Sequence, residues 1–134
     1  MKICVTASGN TLDASIDPRF GRAIYLAIVD SESMAFETIP NAAAGAMGGA
    51  GIQAAQTLTK KGVDVLITGN VGPNAFQELS AAGIKVVIVA SGTVREAVEK
   101  YKRGELSEIG APTVKGYFGM DIRKESGRAL WNMY

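Results

Sequence analysis

Val65-Leu66-Ile67-Thr68-Gly69-Asn70-Val71-Gly72-Pro73-Asn74-Ala75-Phe76 decides the fold. In this stretch an aliphatic run stops at one glycine, then passes through a second glycine and a proline into a helical pattern. Residues 63–68 are strand-length, almost wholly apolar or β-branched, and bounded by Gly62 and Gly69, which predicts an interior strand covered on both faces. Gly69 and Gly72 read as positions where the backbone takes angles closed to other residues, or where a ligand comes close to the main chain. Pro73 suits the first helical position, where no intrahelical N–H bond is lost. Asn70 to Asn74 are therefore expected to hold free backbone N–H groups and two side-chain amides at the C-terminal end of a strand. Ligands bind at that end of open α/β sheets, and helix N-termini favour anions. A plain strand-to-helix turn with no ligand accounts for the same residues equally well.

Upstream, residues 2–6 read as a buried strand ending at Ala7-Ser8-Gly9-Asn10. A polar excursion over residues 11–22 follows, and its segment Asp17-Pro18-Arg19-Phe20-Gly21-Arg22 is a second candidate site. Residues 24–30 and 34–39 form an antiparallel hairpin about Ser31-Glu32-Ser33. Residues 40–51 are too glycine-rich for a helix interior and read as a mobile loop. Helices are expected over 52–61, with Ile52, Ala55 and Leu58 inward, and over 73–82, with Phe76 and Leu79 inward. Another buried strand spans 84–90. A last helix over 93–102 has Thr93 as N-cap, Glu96 closing a capping box, and Val94, Ala97, Val98 and Tyr101 inward. Right-handed crossovers then give an α/β fold, a five-stranded mixed sheet of order 3-2-1-4-5 with strand 2 antiparallel and helices on both faces. Strands one and four are neighbours, so the 8–22 and 69–74 loops open at one sheet end together with the glycine-rich loop, in one cleft.

Composition removes several chemistries. The chain of 134 residues is 47% hydrophobic and 20% charged, enough for one compact domain, placed at 1–109 and followed by an aromatic extension at 110–134. It contains no histidine, which excludes His-based triads, His-metal sites and a histidine general base. The single cysteine rules out an intrachain disulfide and a Cys-cluster metal site. A net charge of +1 gives no bulk electrostatic case for nucleic acid or a membrane surface. No apolar run approaches the roughly 20 residues that span a bilayer, and the N-terminus has no signal-peptide layout, so a cytoplasmic protein is expected.

The motifs each carry a plain and a sharp reading. Gly45, Gly48, Gly49 and Gly51 invite a phosphate-loop interpretation, but several residues separate them from the preceding strand and no G-x-x-x-x-G-K-[ST] exists, so a flexible lid or anion-contacting loop fits better. The strand order is also that of ribonuclease H-like nucleases, yet residues 2–8 hold no acid and Asp64 lies at the wrong strand end for a two-metal site. Arg19 and Arg22 either pair internally, with Asp17 on one arginine and Phe20 plugging the core, or aim their guanidinium forks at an anion. Cys4 reads as a buried thiol. Met47 offers a soft thioether to a soft metal, or is simply loop.

Ser8-Gly9-x-x-Leu12-Asp13-Ala14-x-x-Asp17, Arg19-Phe20-Gly21-Arg22-Ala23, Asn41, Gly49-Ala50-Gly51-Ile52 and Thr68-Gly69-Asn70-Val71-Gly72-Pro73-Asn74-Ala75-Phe76 resemble the dinitrogenase iron-molybdenum cofactor biosynthesis family over about residues 1–104. The resemblance implies a ribonuclease H-like motif and binding of an anionic metal-sulfur cluster, a possible molybdenum/iron or copper sulfide held without covalent ligands, or of its precursor. It implies a non-enzymatic carrier that meets a cluster donor or acceptor protein. The implied cofactor-binding residues are Ser8, Gly9, Arg19, Phe20, Gly21, Arg22, Asn41, Met47, Gly48, Gly49, Gly51, Gly69, Asn70, Gly72, Pro73 and Asn74, with no catalytic and no direct metal-ligating residue.

Two further readings stay open: an enzyme or a regulatory module binding a small phosphorylated or carboxylated anion in the same cleft. The enzyme reading has only Asp13 and Asp17 in the loops for proton transfer. Residues 110–134 carry the only tryptophan, Trp131, with Tyr117, Phe118 and Tyr134. An edge strand over 115–123 and a homodimer through the extension are the expectations there.

Overall fold

The computed structural model describes residues 1–45 and 47–113. The 115–123 strand and the dimer through the aromatic extension lie outside them. Strands β1 (Lys2–Ala7), β2 (Tyr25–Asp30), β3 (Phe36–Pro40), β4 (Val65–Thr68) and β5 (Lys85–Ile88) form one sheet of order β3-β2-β1-β4-β5. β1 pairs antiparallel with β2 and parallel with β4, β3 pairs antiparallel with β2, and β4 pairs parallel with β5. This is the expected topology. Side chains alternate between two cores, as a period of two requires. Cys4, Leu26, Ile28, Leu66 and Val86 face α1 (Ala50–Lys60) and α2 (Pro73–Ala81). Ile3, Val5, Ala27, Val29, Val65, Ile67 and Val87 face α3 (Val94–Lys102).

The helices stop and start for identifiable reasons. Thr93 Oγ1 accepts from the Glu96 N–H at 3.1 Å and the Glu96 carboxylate accepts from the Thr93 N–H at 2.9 Å, the capping box read from the sequence. Val94, Ala97 and Val98 are buried below it. Pro73 opens α2 at its first position, with Ala75 and Leu79 buried.

Helix α1 differs from expectation. It begins at Ala50, two residues early, because Gly49 adopts φ +70, a left-handed angle open to glycine, and turns the chain into the helix. Its core face is Ala50, Gly51, Ala54, Ala55 and Leu58, while Ile52 is only half-buried. The segment before it is likewise less irregular than its glycine content implies, since residues Ala42–Gly45 form a 3-10 turn. β3 begins at Phe36 rather than residue 34, because Met34 takes φ +64 in a turn tied to Asp30.

Neither Gly69 nor Gly72 uses a left-handed backbone; the positive-φ glycines among the described residues lie elsewhere, and Gly72 sits at φ −81. The reason for Gly69 is close approach. A Cβ there would stand 2.5 Å from Pro18 Cβ and 2.6 Å from Pro18 Cα. The polar excursion therefore lies directly on the end of β4. Thr6 fixes it from the β1 side: its Oγ1 is 2.6 Å from the Asp17 carbonyl and 2.8 Å from Thr68 Oγ1, and the Asp17 N–H donates to the Thr6 carbonyl at 2.9 Å. Gly69→Ala forces this contact apart, and overpacking of this kind costs about 1–3 kcal/mol. Denaturant unfolding of the variant is expected to show that loss, whereas Gly83→Ala, strained by its φ of +78 but clear of any neighbour, leaves the Pro18 segment in place by amide chemical shift.

Candidate functional site

The excursion crosses the sheet end from one core to the other. Leu12 and Ile16 pack on the α3 side, while Phe20 is fully buried on the α1/α2 side. Between them Asp17 and Pro18 pass over the ends of β1 and β4. Phe20 anchors the turn Phe20–Arg22, and its N–H reaches the Asn70 carbonyl at 3.4 Å. Arg19 forms a parallel bridge with Asn70. On its other flank the turn meets α1 backbone to backbone: a Cβ on Gly21 would fall 2.7 Å from the Gly51 nitrogen. The arginine turn is thus wedged between the first turn of α1 and the β4–α2 connection.

Both helices present their N-termini here. The N–H groups of Gly51 and Ile52 in α1, and of Gly72, Asn74 and Ala75 at α2, have no acceptor among the described residues. Gly72 and Ala75 are buried. Such groups carry the positive end of the helix dipole, and buried N–H donors are ordinarily paired.

The two arginines are held differently. Arg19 Nε and Nη2 each lie 3.4 Å from an Asp17 carboxylate oxygen, while the Arg19 N–H donates to Asp17 Oδ1 at 3.0 Å. The internal pairing is therefore real but long, and the Arg19 side chain is 39% exposed against 7% for Asp17. A half-exposed pair of this length contributes at most about 1 kcal/mol. Arg22 Nη1 donates to the Ala44 carbonyl at 3.0 Å, which ties the glycine-rich segment to the arginine turn.

Arg19, Gly21, Arg22, Gly51, Gly69 and Asn70 come together in this way, with Gly72, Pro73 and Asn74 following in the chain after Val71. Gly48 and Gly49 precede α1 and face open space, and Met47 beside them is 101% exposed. Other candidates are committed elsewhere. Ser8 Oγ donates to the Ser15 carbonyl at 3.1 Å, and Gly9 packs toward Ala14, both within the 11–16 turn. The Phe20 ring belongs to the core. Asn41 is buried and is a clamp, its Nδ2 donating to the Gly21 and Ala23 carbonyls at 3.3 and 2.9 Å and its Oδ1 accepting from Ala43 at 3.2 Å. It shapes the arginine turn from behind. One contact had no signal in the sequence: Thr113 Oγ1 accepts from the Val71 N–H at 2.8 Å.

Asp13 pairs with Arg95 at the surface, at 3.2 Å. No group of three or more His, Cys, Asp or Glu side chains suited to a metal occurs among the described residues. Cys4 is wholly buried, and burial pushes its thiol well above the usual range. Cys4 is accordingly expected to resist an aromatic disulfide reagent in the native protein at pH 8 and to react within seconds in denaturant; rapid native labelling would mean that the α1/α2 core opens far more often than its packing implies.

A family model described as dinitrogenase iron-molybdenum cofactor matches residues 1–104. An uncharacterized protein of Methanocaldococcus jannaschii is 30% identical over 112 residues, 81% of this chain and 92% of that one. Among solved structures, the apo form of the orange protein from Desulfovibrio gigas superposes with a TM-score of 0.81 at 48% identity, covering 84% of this chain and 95% of that one. A Thermotoga protein named for NifB superposes with a TM-score of 0.71 at 41% identity, covering 80% and 91%. The same sheet order and the same three-helix arrangement run through the matched residues, and this chain belongs to the dinitrogenase iron-molybdenum cofactor family.

Proposed function

We propose that the protein is a non-enzymatic carrier of an anionic metal-sulfur cluster or a molybdenum-containing precursor, held by charge and hydrogen bonds. The observation that carries this is the meeting of the arginine turn with two helix N-termini: Gly21 lies against Gly51 and Arg19 against Asn70. N–H groups with no acceptor among the described residues and guanidinium donors, all of one electrostatic sign, lie around one sheet end, and an anion satisfies both. The names of the orange protein and of the NifB-like Thermotoga protein point the same way.

The cargo would be held at its sulfide or oxo surface rather than through protein thiolate. The single cysteine is sealed in the core and there is no imidazole, so the ordinary ligands of iron-sulfur clusters are missing from the cradle. Arg19, Arg22, the Gly48–Gly51 segment and the Gly69–Asn74 turn would form the cradle, with Met47 a soft donor at its rim. Asp17 and Asp13 are each paired with an arginine, which supports a binding role over proton-transfer catalysis.

Titration with tetrathiomolybdate, with and without Cu(I), tests the reading. The parent and Cys4→Ser are expected to bind alike. Arg19→Ala/Arg22→Ala should bind far more weakly, since each lost charge-assisted bond costs roughly 1.5–3 kcal/mol. Raising the salt from 50 to 500 mM should weaken the parent in the same sense. Binding abolished by Cys4→Ser and untouched by the arginine changes would reverse the chemistry; tight binding of molybdate or phosphate with none of the thiometallate would move the cargo to a simple oxyanion.

A further inference from the structure

Residues beyond α3 form a strap that ends on the site. Leu106 packs on the α3 core and Ile109 on the α1/α2 core, so the chain rounds the β5 edge between them. Glu108 bridges Val87, and the Ile109 N–H donates to the Val86 carbonyl at 2.8 Å. The strap then reaches the β4–α2 turn. The Thr113 N–H donates to the Val71 carbonyl at 3.0 Å, and Thr113 Oγ1 accepts from the Val71 N–H at 2.8 Å and lies 3.5 Å from Asn70 Oδ1. These residues follow the stretch, residues 1–104, that the family model matches.

Val71 is fully buried, so its N–H cannot turn to water and must find an acceptor inside the protein. It is followed in the chain by the Gly72 N–H, which has no acceptor among the described residues. Asn70, beside it, is also the residue that Arg19 and Phe20 contact. The arginine turn and the strap therefore meet on neighbouring residues of the β4–α2 turn, Asn70 and Val71, and one amide of that turn is occupied by a neutral hydroxyl. An anionic oxygen or sulfur is a stronger acceptor than a hydroxyl for the same donor.

We infer that Thr113 is a displaceable latch: strap and anionic cargo compete for the β4–α2 turn, so that filling the cradle unhooks Thr113 and docking of the strap lowers affinity for the cargo. The inference rests on the anion-cradle reading above. Coupling of this kind is reciprocal, because whatever holds the strap down expels cargo by the same factor that cargo loosens the strap. A partner that seizes or releases the strap at Thr113 thereby sets when the carrier loads and unloads.

Tetrathiomolybdate is titrated into the full-length parent, Thr113→Val, Thr113→Ser and Arg19→Ala/Arg22→Ala, and amide exchange at Thr113 is followed by NMR with and without the probe. Thr113 is exposed, so its replacement leaves the core intact. Thr113→Val should bind roughly two- to tenfold more tightly than the parent, the factor set by removing one ordinary hydrogen bond from the competition. Thr113→Ser keeps the hydroxyl and should match the parent. The probe should accelerate exchange of the Thr113 amide in the parent. Weaker or unchanged binding by Thr113→Val, or probe-induced protection of the Thr113 amide, overturns the latch and makes Thr113 a fixed buttress. An arginine double variant that binds as well as the parent overturns the cradle itself, and the latch with it, whatever Thr113→Val does.

Discussion

The contact of Pro18 with Gly69 is the constraint on which the rest depends. Two backbone segments 51 positions apart touch where only a hydrogen fits, and the Thr6 hydroxyl ties the same segment to β1 and Thr68. Once Pro18 is seated, Arg19 falls beside Asn70 and Phe20 enters the α1/α2 core. The arginine turn then has a single place to go, against Gly51 and in front of the Asn41 clamp. Removing hydrogen-bonded water from this junction is affordable because the polar groups inside it are paired: Thr6, Thr68, Asp17 and Asn41 are all buried with named partners.

The sheet and helices were legible because their signals are local. Strands buried on both faces read as aliphatic runs, and α3 announces its start through Thr93 and Glu96. The order of strands followed from the hairpin, the alternation of later strands with helices, and the handedness of the crossovers. The start of α1 was misread because Gly51, a poor helix former, stands in its first turn; tertiary packing against Gly21 requires it there and outweighs propensity.

The site was legible only in part, and the missing part is long-range. Residue type singled out Arg19, Arg22 and the 69–74 turn, and the structure brings the arginine turn against Asn70 and Gly51. Asn41 and Phe20 looked like ligand residues because they lie near those segments in the pattern, yet the amide of one and the ring of the other face inward to hold the turn. Thr113 had no signal at all: a single threonine in a nondescript stretch acquires its role from a partner 42 positions away.

The strap has another effect, on what the sheet presents to other molecules. A β-sheet whose outer strands show bare N–H and C=O groups recruits further strands, and proteins guard against this. At β5 the Glu108–Ile109 segment takes up hydrogen-bonding groups that would otherwise invite a neighbour. At β3 the guard is different: Pro40 offers no N–H at the strand's end, and Glu37 places a charge beside any incoming copy of itself. The two margins of the sheet are protected unequally, one by the chain's own covering and one by sequence. A covering of backbone bonds can in principle be lifted, whereas the guard on the β3 margin is written into its residues and goes wherever the strand goes.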